Sequence, residues 1–174
     1  MRLFRVLPLL VLLMAAWARP AFADGTLFIG TVNPSDATNA SPQTTKGFAI
    51  GAGVVIVGVE FEYAAAGEDE EHFGPSLKTG VGNVYVQTPI AIAGLQFYAT
   101  TGGGIYREKR TAGLPQEVTK TGVTSNTGGG VKISLLGPLK ARVDYRIFKL
   151  LGDKPLPTWR STVQRLYAGI TLGF

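Results

Sequence analysis

Nine charged side chains fall within short apolar runs, most of them spaced two residues apart. They are Glu60 and Glu62 in VGVEFEY, Glu108 in IYREK, Lys132 in GVKIS, Lys140, Arg142, Asp144 and Arg146 in LKARVDYR, and Arg165 in QRLYAG. A spacing of two puts side chains on one face of a strand. Four acids and five bases gathered on such faces can neutralise one another if the strands close into a tube. Two kinds of chemistry follow. Paired and hydrogen-bonded, the charges form an ionic core in which removal of one partner strands another. Unpaired around a gap, they form a gated path for ions or protons, because rings of charge set selectivity.

The other reactive groups are sparser. The run EDEEH, Glu68 to His72, is acidic enough to bind Ca²⁺ or the divalent ions that bridge lipopolysaccharide, but its spacing matches no EF-hand-like loop. It reads as a solvated loop tip. His72 is the sole histidine, with Ser76 four residues away and acids beside it. Acyl transfer needs a serine, a base and an orienting acid, yet a loop juxtaposition is poor support, and no His-x-Ser pair lies on a strand. Cysteine is absent, which excludes disulfides, thiolate metal sites and a cysteine nucleophile. GAGVVIVG, Gly51 to Gly58, lacks the third glycine of a dinucleotide loop and leads into a strand. Trp159 suits an interfacial anchor. No catalytic residue, metal site or cofactor is expected, and no enzymatic activity.

The elements that must carry these charges are strands. Beyond residue 23 no stretch keeps a helical period, whereas period-two alternation recurs between turn-rich segments. Eight strands are predicted near 25–33, 45–53, 55–66, 77–87, 91–109, 120–134, 139–149 and 163–174. Short turns are expected at Gly53-Val54, Thr88-Pro89-Ile90 and Leu136-Gly137-Pro138. Longer polar loops are expected at 34–44, 67–76, 110–119 and 150–162. Each strand shows one apolar and one polar face. Val57, Val59, Phe61 and Tyr63 oppose Gly58, Glu60 and Glu62, and Val143 and Tyr145 oppose Arg142, Asp144 and Arg146.

The first 23 residues carry Arg2 and Arg5, an apolar run from Val6 to Trp17, and Ala21-Phe22-Ala23 before Asp24. This is the pattern of a secretory signal peptide, giving a cleaved segment 1–23 and one mature domain, 24–174. Removing Arg2, Arg5 and Arg19 from the 17 basic residues leaves 14 against 12 acidic ones, a net +2. Spread along the chain, that is no nucleic-acid footprint.

Period two permits a soluble sandwich or lipocalin-like barrel with apolar residues inside, or a transmembrane barrel with apolar residues facing lipid and polar residues facing the lumen. The export signal and the sorting of short turns from long loops favour the second. So do the glycine-rich polar faces (Gly58, Gly102, Gly104, Gly128, Gly130) and the chain's aromatic last residue. The predicted fold is all-β: an eight-stranded antiparallel up-and-down transmembrane β-barrel.

The last strand, RLYAGITLGF, resembles the carboxy-terminal insertion signal of bacterial outer-membrane barrels, with Leu166, Ala168, Ile170, Leu172 and Phe174 at alternate positions. Gly128 to Leu150 resembles the penultimate hairpin of the small OmpA-like outer-membrane barrels, chiefly at Arg142, Asp144, Tyr145 and Arg146. GGGIYRE, Gly102 to Glu108, is similar to a central strand of that family. The resemblance implies a barrel in the cell outer membrane of a Gram-negative-type bacterium. It would be met by the barrel-insertion machinery and surrounded by outer-membrane lipid and lipopolysaccharide. A monomer is expected, without a peptidoglycan-binding extension. Its role would be structural, or surface interaction through the loops with a ligand not specified by sequence. The alternatives are a narrow porin-like channel for ions or small solutes, a lipid A-modifying enzyme, and a soluble periplasmic ligand-binding barrel.

Overall fold

The computed structural model describes residues 22–34, 41–71, 74–89, 91–111, 113–152 and 160–174. They form eight strands: β1 Phe22–Val32, β2 Gln43–Val54, β3 Val57–Ala66, β4 Ser76–Gln87, β5 Leu95–Arg110, β6 Val118–Leu136, β7 Leu139–Leu150 and β8 Thr162–Gly173. Each pairs antiparallel with its sequence neighbour, and β1 pairs with β8, so the sheet closes into a barrel. Closure is what allows such a sheet to sit in hydrocarbon, since it leaves no row of unpaired backbone groups.

Connections of two, seven and two residues (55–56, 88–94 and 137–138) lie at one rim together with the strand ends at Phe22 and Gly173. The strand ends joined by the loops 33–42, 67–75, 111–117 and 151–161 lie at the other. We call these the turn rim and the loop rim. At the turn rim, Gly137 takes φ +54 ahead of Pro138, the position of a two-residue hairpin where glycine is needed.

Several predicted boundaries move. The turn expected at Gly53-Val54 is formed by Val55 and Ile56, with Val55 at φ +41, so β3 begins at Val57. Strand five was expected from residue 91 but starts at Leu95. Ile92 and Leu95 exchange two backbone hydrogen bonds of 2.9 Å around Ala93 and Gly94, both at positive φ. That tight turn lies within an apolar stretch, IAIAGL, which alternation alone reads as strand. β1 starts two residues before the expected mature end, at Phe22. In the uncleaved chain Ala23 and Phe174 exchange backbone bonds of 3.0 and 2.9 Å.

The faces are inverted relative to a soluble protein. Leu27, Ile50, Val59, Phe61, Val84, Phe97, Ile105, Val123, Leu166 and Ile170 are each at least half exposed on the outer surface. Glu62, Glu108, Asp144 and Arg146 are fully buried inside. Glycine on the inner face makes room for rings: a side chain at Gly58 would collide with the Tyr85 ring, and one at Gly130 with Tyr98. Towards the loop rim the lumen is filled by an apolar cluster of Val32, Ala66, Leu77, Val81, Tyr106, Phe148, Leu150 and Val163.

Candidate functional site

The middle of the lumen holds the site. Glu60 and Glu62 project from β3; Arg142, Asp144 and Arg146 project from β7 and Arg165 from β8. In an eight-stranded barrel β3 and β7 stand opposite one another, so these groups meet across the axis. The interior at this strand number is just wide enough for side chains to fill it.

Arg142 donates from Nη1 to Glu60 Oε2 at 2.5 Å, from Nη2 to Asp144 Oδ2 at 2.9 Å, and from Nε to the Tyr98 hydroxyl at 2.7 Å. The Tyr98 hydroxyl in turn donates to Asp144. Arg146 donates from Nε to Asp144 Oδ1 at 2.9 Å and from Nη2 to Glu60 Oε1 at 2.7 Å. Its Nη1 lies 3.1 Å from Glu62 Oε2, a charge contact outside hydrogen-bond geometry. Arg165 donates to Glu62 Oε1 at 2.7 Å and to Thr79 Oγ1 at 2.8 Å. The Tyr167 hydroxyl donates to Glu62 Oε2 at 3.1 Å. Three guanidinium groups thus face three carboxylates, with two tyrosines as polar spacers. Guanidinium's planar fork suits such a lattice because each cation can serve two carboxylates at once.

Two further layers border it. Towards the turn rim, Lys132 contacts Asp24 at 2.5 Å and lies over the Tyr85 and Tyr98 rings at 5.4 and 5.8 Å. A cavity of about 340 Å³ opens there, lined in part by Asp24, Gln87, Gln96, Lys132, Lys140 and Thr171. Towards the loop rim, the Arg165 guanidinium packs on the Phe148 ring at 4.4 Å, which joins lattice to apolar cluster.

Of the nine charges singled out from sequence, the structure brings six together: Glu60, Glu62, Arg142, Asp144, Arg146 and Arg165. Lys132 is set apart, on Asp24. Lys140 lies at the turn-rim mouth, 3.4 Å from Gln96 Oε1. Glu108 is fully buried but sits higher, paired in register with Leu77 and Lys120 beside the apolar cluster. Leu166, Ala168, Ile170, Leu172 and Phe174 all face outward.

Sequence reasoning missed four partners. Asp24 was taken as the first mature residue, ahead of the strand. Tyr98, Thr79 and Tyr167 sit on polar faces, where the alternation could have flagged them. Pairs such as Asn83–Asn126 and Thr26–Thr171, each 2.8 Å apart, depend on contacts across strands far apart in the chain.

The remaining candidates change character. Glu68 accepts the Thr111 backbone N–H at 2.6 Å, and Asp69 and Gly74 exchange two backbone bonds of 2.9 Å, which closes the acidic loop on itself. Among the described residues no group of three or more His, Cys, Asp or Glu is arranged to hold a metal ion. Ser76 donates to the Lys109 carbonyl at 3.1 Å. His72 and Trp159 lie outside the described residues.

Solved structures with the same architecture set this geometry in context. Neisserial surface protein A superposes with a TM-score of 0.71 at 12% identity, over 90% of this chain and 100% of that one. The N-terminal β-barrel domain of Pseudomonas aeruginosa OprF gives 0.62 at 14% identity, over 88% and 97%. The chain has the fold of the small eight-stranded outer-membrane β-barrels. Ail, the attachment invasion locus protein of Yersinia pestis, solved with the heparin analogue sucrose octasulfate, gives 0.59 at 12% identity, over 90% and 100%. The outer membrane enzyme PagL is also similar, at 0.52 and 11% identity, over 86% and 98%. No protein-family model matches the chain, and no curated protein sequence matches it. At these identities the outer-membrane barrels share a scaffold with this one, and the scaffold carries several activities.

Proposed function

We propose that this barrel is a non-conducting protein of the Gram-negative-type outer membrane that acts at the cell surface through its four long loops. The observation that carries the reading is the closed lumen. Arg142, Arg146 and Arg165 are no more than 1% exposed, locked to Glu60, Glu62 and Asp144, with an apolar cluster stacked above them. An ion path needs hydrated charge that can exchange partners; here each guanidinium is already held by a carboxylate. The loop rim stands outside the membrane, and binding residues concentrate on loops held by a rigid scaffold. Two barrels of this fold, Neisserial surface protein A and the attachment invasion locus protein Ail in complex with a heparin analogue, support a role at the cell surface.

The test is electrical. Purified protein in planar bilayers is expected to give no unitary conductance steps, and Arg142→Ala is expected to open none, because the apolar cluster still blocks the axis. Discrete steps from the unaltered protein overturn the reading in favour of a narrow channel.

A further inference from the structure

Three outward-facing cations form a row on the barrel's outer wall, near the loop rim. Lys46 on β2 is the register partner of Ala65 on β3, Ala65 of Lys78 on β4, and Lys78 of Arg107 on β5. All three cations are exposed. Lys78 and Arg107 stand directly opposite each other, an arrangement that is unfavourable for like charges unless an anion bridges them. Among the described residues Lys46 and Lys78 form no ion pair. The acids nearby are Glu68 and Asp69, which share a pocket with Lys46, and Glu117, which faces Arg107 but is held by Lys109 at 2.7 Å.

Beneath this row the wall becomes apolar within one strand repeat. Phe48, Tyr63 and Ile105 lie two residues towards the turn rim from Lys46, Ala65 and Arg107. The Phe48 and Tyr63 rings are 5.9 Å apart. Lower on the same four strands runs an open groove of about 700 Å³, lined in part by Ile50, Val59, Phe61, Gly82, Val84 and Thr101. A row of cations above an apolar wall that leads down into an open groove matches one kind of molecule: acyl chain along the wall and groove, and phosphate above them.

We propose that the outer face of β2–β5 binds a phosphate-bearing lipid of the surrounding leaflet, with Lys46, Lys78 and Arg107 on its phosphates and an acyl chain in the groove below. The site rests on the outer-membrane reading above. It is one-sided: on β7 the corresponding outward cation is Lys149, whose register partners are Ser125 and Thr162. A general belt of snorkelling cations would instead ring the barrel.

The experiment uses the whole barrel in nanodiscs of phosphatidylcholine, doped with bisphosphorylated lipid A, with monophosphoryl lipid A, or with phosphatidylethanolamine. Lipid retained by the barrel is read by native mass spectrometry. One bisphosphorylated lipid A is expected to be retained preferentially. A combined Lys46→Thr, Lys78→Thr and Arg107→Thr variant is expected to bind it roughly a hundred-fold more weakly, the scale of three basic groups at an anionic lipid surface. Lys149→Thr is expected to leave retention unchanged. The three threonines replace exposed side chains, and heat-modifiable migration verifies that the variant barrel still forms; Arg107→Thr alone, with a partial loss, provides a second reading. Equal retention by the triple variant overturns the proposal. So does equal loss in Lys149→Thr, or displacement by inorganic phosphate alone. If the polypeptide is instead freely water-soluble without detergent, the membrane reading itself fails, an outcome distinct from an intact barrel that shows no lipid preference.

Discussion

The lumen is blocked twice, by different physics. In its middle, six charged side chains pair with one another in a lattice that joins opposite walls. Nearer the loop rim, Val32, Leu77, Val81, Phe148, Leu150 and Val163 fill the same tube chiefly by apolar packing. The two blocks fail in different ways. A buried charge depends on its particular partner, because removing one end leaves the other desolvated and uncompensated. A packed methyl group depends on volume, and its neighbours can partly collapse into a vacancy. The ionic layer therefore fixes which strand faces which, since Glu60 and Glu62 must stand across from β7 and β8. The apolar layer closes the bore without dictating register. Phe148 belongs to both, packing in the cluster and lying under the Arg165 guanidinium.

The sharpest way to break this contrast is Arg146→Ala. It withdraws the cation that serves Glu60, Glu62 and Asp144 together, and is expected to lower unfolding free energy by about 3–5 kcal/mol. Urea titration of the barrel in lipid vesicles, followed by heat-modifiable gel migration, measures it. A loss no larger than that of an exposed substitution would mean the lattice is replaceable.

Leu77→Ala probes the other layer. It is expected to cost about 2–3 kcal/mol in the same assay, from the cavity left behind. It should spare the arginine pairs, so combining it with Arg146→Ala should give nearly additive losses. Strong coupling between the two would show that the layers act as one core.

The smallest effect is expected at the loop rim, at the exposed ion pair between Glu117 of the 111–117 loop and Lys109 at the end of β5. The hydrogen bond from Lys109, helped by Thr119, holds the Glu117 carboxyl below its ordinary value. Its contribution is therefore present above the ordinary glutamate range and is lost as the pH falls through the lowered value. Both side chains are over 40% exposed, and exposed pairs contribute little. Glu117→Gln should leave the unfolding midpoint near neutral pH unchanged within error, while a change matching Leu77→Ala would mean the loop braces the barrel.

Much of this was legible in the chain because a barrel strand has one repeating decision, in or out. Glu60 and Glu62 alternating with Phe61 and Tyr63, or Arg142 and Asp144 with Val143 and Tyr145, show which face each residue takes. Loop lengths show which rim it is near. The turn at Ala93-Gly94 was hidden because its distinguishing feature is positive φ within an apolar run, which alternation does not register. Asp24 was hidden because the cleavage pattern around it drew the strand boundary too late.

What the sequence determined by itself is periodicity: eight alternating segments, sorted loops, and an inner and an outer face for each strand, because side-chain direction in a strand is local geometry. What only the closed barrel decided is partnership. Lys132 went to Asp24 and not to the lattice, Glu108 rose beside Leu77, and Lys46, Lys78 and Arg107 came into one row. Those outcomes depend on strand register and on which walls face each other once β1 meets β8, and no local pattern of residues contains that distance.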